Sequence, residues 1–232
     1  MIQFRDRMAR GASRTGWLDS RHTFSFGGYR DPLHMGFRSL RVLNEDRVIP
    51  GAGFSPHSHR DMDIVSIVLD GVLEHRDDLG HGTQIRPGDL QRMSAGTGIT
   101  HSEFNPSTTQ PVHFLQIWIV PDRMNLPPSY EQKTFTPERD AGTLMLVASP
   151  DGRAGSLTVH QNALLYRGHL RSGQRCSHAI GDDRGAWLQV LGGIVSLNGV
   201  EMREGDGAAL VEERMIDIGA ETDADVLLFD LG

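Results

Sequence analysis

The chain has 232 residues, 38% hydrophobic and 23% charged, enough apolar material for one large or two small domains of an ordinary soluble protein. Its formal net charge of −7, with no compensating basic stripe, argues against direct nucleic-acid binding. A single cysteine, Cys176, excludes an intrachain disulfide framework, and no apolar run approaches the ~18–20 residues that span a bilayer, so a reducing, cytoplasmic setting is expected.

In chain order, β-branched and aromatic segments bounded by turn residues predict strands at residues 39–43, 64–69, 71–76, 112–120, 144–148, 157–161, 187–191, 194–197 and 226–229. No long helical periodicity competes with them, so the fold class is all-β, a barrel or sandwich. Residues 65–71 lead through a turn to Gly88-Asp89, and residues 188–193 lead through Asn198-Gly199 to Gly205-Asp206. This weak repeat predicts two copies of one barrel, with a linker in residues 121–137 around Pro127-Pro128.

Two short motifs carry the chemistry: His57-Ser58-His59 and His101-Ser102-Glu103. Side chains two apart on a strand share a face, so two neighbouring strands would aim three imidazoles and a carboxylate at one point. His57, His59, His101 and Glu103 are therefore the candidate metal ligands. The donor set suits Fe(II), Mn(II), Ni(II), Co(II), Cu(II) or Zn(II), and the absence of thiolate points to an open site rather than a closed structural one. Asp61 and Asp63 share the histidines' parity; each either holds a ligand imidazole through its free N–H or pairs with Arg60 or Arg92. Asn105 reads as a turn residue before Pro106, and of His113 and Gln116 at most one faces inward. The remaining histidines, His75 among them, lack a partner at ligand spacing. Phe24, Phe26, Met35, Phe37, Phe54, Met62 and Met93 are barrel core or the lining of an apolar pocket.

The repeat supplies a control. Counting from Gly193 and Gly205 as the ligands lie from Gly71 and Gly88 reaches Ala179, Gly181, Ile218 and Ala220, none of them a ligand, with His178 close by. The chemistry is expected in the N-terminal half.

The flanking residues resemble the two blocks of the cupin superfamily: Gly51, five residues and His57-x-His59, then Gly98, His101 and Asn105. Asp63 stands where the general cupin pattern has a glutamate ligand, and Glu103 supplies an acid where most cupins have none. That combination, with residues 22–27, 87–103 and 226–231, resembles the pirin family, in particular its bacterial, quercetinase-type members. The resemblance implies a bicupin of two tandem jelly-roll barrels, a metal-binding domain at 1–122 and a ligand-free domain at 123–232. It implies Fe(II) as the cofactor. The implied activity is a dioxygenase that opens the heterocyclic ring of flavonols such as quercetin with O2 and releases CO, with Glu103 as the catalytic base. The implied partners are a small aromatic substrate and O2, not nucleic acid or membrane, and the chain is expected to be monomeric. The alternative is a metal- or redox-sensing module that regulates through protein partners, as eukaryotic pirin is regarded.

Overall fold

The computed structural model describes residues 1–136 and 142–232. The strands of the first stretch are β1 (Ile2–Arg5), β2 (Gly11–Arg14), β3 (Leu18–His22), β4 (Leu40–Val48), β5 (Gly53–His59), β6 (Asp63–Asp70), β7 (Leu73–Asp77), β8 (Gly82–Ile85), β9 (Asp89–Ser94), β10 (Ile99–Phe104), β11 (Val112–Ile119) and β12 (Ser129–Thr134). Those of the second are β13 (Leu144–Ser149), β14 (Leu157–Thr158), β15 (Ala163–Leu170), β16 (Arg175–Ala179), β17 (Gly185–Gly192), β18 (Ile194–Leu197), β19 (Val200–Arg203), β20 (Gly207–Leu210), β21 (Met215–Ala220) and β22 (Ala224–Leu231). The helical residues described are two short 3-10 turns, and no helix is long and apolar enough to cross a membrane. The architecture is all-β, in two tandem barrels.

The first unit comprises Gly11–Phe135 and Leu157–Gln161. Its sheets run β5-β10-β7-β8 and β12-β9-β6-β11-β4-β3-β2, antiparallel throughout. The central strands β6 and β11 are rich in Val, Ile and Leu because both of their faces are covered. Its apolar core includes two clusters. Val48, Val68, Leu73, Ile85, Val112 and Phe114 form one; Ile64, Met93, Ala95 and Ile99 form the other.

The second unit comprises the described residues of Met1–Arg10, Thr136–Ser156 and Asn162–Gly232. Its smaller sheet runs β16-β21-β18-β19, and its larger one contains the order β1-β20-β17-β22-β15-β13. Apart from β2, this repeats the first unit strand for strand, with β1 standing beside β20 as β12 stands beside β9. An apolar cluster within it includes Leu188, Val190, Val195, Leu197, Ile216, Ile218, Val226 and Leu228.

These units correct the expected division at 122/123. Residues 129–134, expected in the linker, pair with β9 from Ser129↔Ser94 to Thr134↔Asp89, and the Phe135 N–H donates to the Gly88 carbonyl at 2.7 Å. Pro127-Pro128 therefore marks the entry to an outer strand, a position where a missing N–H costs little. Pro137, the last residue of the expected linker, lies outside the described residues. The first ten residues belong to the second unit because β1 completes its sheet, from Ile2↔Leu210 to Arg5↔Gly207. Of the strand expected at 157–161, only Leu157–Thr158 is extended.

Candidate metal centre

Strands β5 and β10 are antiparallel neighbours, and His57 faces His101 across the ladder. The approach is close: a Cβ at Gly53 would collide with the Glu103 carbonyl, so glycine is required there. The imidazole centroids of His57, His59 and His101 lie 4.5, 4.8 and 4.9 Å apart, and the three rings could hold one metal ion. His57 Nδ1 lies 2.8 Å from the Ser55 carbonyl, which can only accept; Nδ1 therefore carries the proton and Nε2 is bare. That bare nitrogen stands 3.1 Å from His101 Nε2.

Electrostatics keep His59 and His101 neutral. Burial, then the neighbouring His57, lowers the His59 pKa to about 4; burial, then His57, His59 and His75, pushes His101 lower still. Neutral imidazole is the form that ligates.

Glu103 is buried on the same face of β10, two residues on from His101. A register shift between the two residues sets its ladder partner at Phe54, and its carboxylate lies outside the three-histidine group. Gln116 Nε2 donates to one oxygen at 2.5 Å and Ser66 Oγ to the other at 3.3 Å. Burial, then the nearby Asp46, raises its pKa to about 8. Glu103 also forms a second metal-capable group, with His75 and His101.

A cavity of 120 Å³ opens beside these residues. Phe26, Phe54 and Trp118 supply its aromatic walls; His22, Asn44, Asp46 and Gln116 supply polar ones. Trp118 meets Phe26 edge-on at 5.4 Å and His59 at 4.9 Å. Asp46 is buried with Oδ1 lacking a hydrogen-bond partner, and burial raises its pKa to about 7 despite a bond from Ser20.

Asp61 and Asp63 do not reach the ligand rings. β5 ends at His59, and Asp61 sits in a turn with φ of 49°, where its carboxylate accepts the Asn125 N–H at 2.6 Å and pairs with Arg60 at 3.6 Å. Parity counts only along an unbroken strand, so the turn cancels the inference. Asp63 accepts from Ser94 Oγ and the His160 N–H, each at 2.5 Å. Asn105 closes a loop by donating to the Val48 and Gln110 carbonyls. Gln116 points inward and His113 to Glu45. Of the proposed pocket residues, Phe26 and Phe54 line the cavity, Phe24 and Met93 are core, Met62 packs against the second apolar group, and Met35 is exposed.

His75 is a correction: it is fully buried, its Nδ1 lies 3.4 Å from His101 Nδ1, and its Nε2 lies 3.1 Å from Asp77. The spacing that flags His57-x-His59 also fits His75-x-Asp77 at the end of a predicted strand, a signal available in the sequence. Trp118 and Asp46 left no such trace.

Comparisons with known proteins identify the family. The pirin family model matches residues 3–119, and a model described as a quercetinase C-terminal cupin domain matches residues 146–231. A quercetin 2,3-dioxygenase of Escherichia coli K12 is 48% identical over 231 residues, covering 100% of this chain and 99% of that one. A pirin-like protein of Caulobacter vibrioides is 39% identical, covering 95% of each. The crystal structure of YhhW from Escherichia coli superposes with a TM-score of 0.97 at 47% identity, covering 100% of this chain and 98% of that one. Bacterial pirin YhhW in complex with nickel(II) gives 0.95 at 48%, covering 100% and 99%. With both halves matched and the histidine cluster in the first, this chain belongs to the pirin family.

Proposed function

We propose that the chain is a metal-dependent dioxygenase that opens the heterocyclic ring of flavonols such as quercetin, consuming O2 and releasing CO. The observation that carries this reading is the convergence of three imidazoles beside an aromatic-walled cavity with a buried carboxylate in its wall. His57, His59 and His101 would hold a divalent cation, with Glu103 as the fourth ligand; Fe(II) is the ion we favour, and nickel is the ion carried by the YhhW complex. The bound cation would lower the pKa of the flavonol hydroxyl and bring substrate and O2 together.

The chain's own groups do the rest. Phe26, Phe54 and Trp118 offer flat apolar surface to a planar aromatic substrate and exclude water from it. Glu103 takes the substrate hydroxyl proton on a carboxylate oxygen, and Gln116 and Ser66 steady that carboxylate through their donors. The relatives' name is that of an enzyme, and the regulatory alternative is not favoured.

Oxygen uptake with CO release tests the proposal, using quercetin and iron-loaded protein beside His101→Ala. Turnover in the native protein and loss of more than ~100-fold in the variant is expected, beyond the ~10–100-fold typical of residues one step behind a metal ligand. No turnover with iron or any other divalent ion above would overturn it.

A further inference from the structure

We infer that Asp77, acting through His75, decides which ring nitrogen of His101 carries the proton and thereby makes the histidine cluster receptive to a cation. The inference rests on the metal-binding reading above and concerns two positioning residues on β7.

The Asp77 side chain is fully buried. Its Oδ1 accepts the backbone N–H groups of Leu79 and His81, each at 3.0 Å. Its Oδ2 lies 3.1 Å from His75 Nε2 and 2.9 Å from His81 Nδ1. A carboxylate only accepts, so both imidazoles donate to it. A neutral imidazole has one N–H, which leaves His75 Nδ1 bare, 3.4 Å from His101 Nδ1.

His101 thus meets a bare nitrogen at each edge: His75 Nδ1 on one side and His57 Nε2, 3.1 Å away, on the other. Its single proton satisfies one edge at a time. When a cation takes Nε2, the proton must sit on Nδ1, and His75 is the group placed to receive it. The same proton closes the overlapping group of His75, His101 and Glu103, because His101 then offers no lone pair there. The ladder fixes the geometry: β7 pairs with β10 through His101↔Asp77 and Glu103↔His75.

Asp77→Asn is the isosteric test. Its oxygen would stay with the backbone donors, and its amide would donate to His75 Nε2. His75 would then carry its proton on Nδ1, facing the Nδ1–H that cation binding needs on His101. His75→Leu removes the acceptor, whereas His75→Gln restores it: the Gln oxygen accepts from His101 and its amide donates to Asp77.

The measurement is Co2+ titration of the full chain, read by the visible absorption band, with melting of the cation-free proteins alongside. We expect Asp77→Asn and His75→Leu to bind Co2+ about 10–100-fold more weakly with an altered band, and His75→Gln to return to within a few-fold of native. In the Zn2+-loaded native protein, 15N NMR should show His101 protonated at Nδ1. Native-like affinity and band in Asp77→Asn, or a Zn2+-loaded His101 protonated at Nε2, would overturn the inference while leaving the metal reading intact. A native chain that takes up no Co2+ would overturn both. Equal weakening in His75→Gln and His75→Leu would reduce His75 to a packing residue and overturn the inference.

Discussion

In the first barrel buried polar residues, among them His75, His101, Glu103, Asp46 and Gln116, take interior positions beside the apolar side chains. In the second barrel an apolar cluster draws side chains from both sheets. The ladders show which residues trade places. Aligned on Gly71 and Gly193, Leu197 takes the position of His75, and its partner Ile218 takes that of Glu103. His57 faces His101 in one barrel, and His178 faces Ile216 in the other. His178 therefore replaces His57, one residue before the Ala179 reached by counting, and it bonds Asp230 at 2.9 Å instead of facing other imidazoles. The same strand plan thus supports either a dry core or a reactive cavity. The second choice forfeits stability, since buried polar groups without full partners cost free energy.

The largest effect that would sharpen this contrast is on chemistry. Glu103→Gln should keep part of the metal and lose ~10²–10⁴-fold in turnover, read by oxygen uptake; full activity would remove Glu103 from the mechanism. On the other side, Leu228→Ala opens a void in the second barrel's apolar cluster and should cost about 2–5 kcal/mol in denaturant unfolding. If it also abolished metal binding, the second barrel would be more than a scaffold.

Asp46→Asn should show the reverse trade. Burial raises the Asp46 pKa from 3.8 to about 7, so the folded state keeps its proton where the unfolded state has lost it. Native stability therefore falls as pH climbs from about 4 to 7, and the full loss is present above that. The variant should flatten this slope and gain on the order of 1–3 kcal/mol at pH 8, seen as a higher melting temperature; an unchanged pH profile would reject the argument. The smallest effect concerns Cys176. Burial, then Asp217, pushes its thiol up to about 11, so alkylation at pH 8 should be slow in the folded chain and fast once denatured.

The sequence by itself determined the fold class, the doubling of the barrel and the three histidines that the fold brings together. These rest on local facts: strand periodicity, glycine turns and two-residue spacing survive wherever the strand is placed. The tertiary structure decided the rest. The turn at Asp61 removed Asp61 and Asp63 from the site, because side-chain parity does not pass through a left-handed residue. The pairing of β12 with β9 moved the domain boundary, because a strand's membership depends on its distant partner. Trp118, Asp46 and the His75–Asp77 pair entered the site through β11, β4 and β7, whose neighbours are set by sheet order. Spacing along a strand reports which side chains share a face; only the closing of the sheets reports what that face meets.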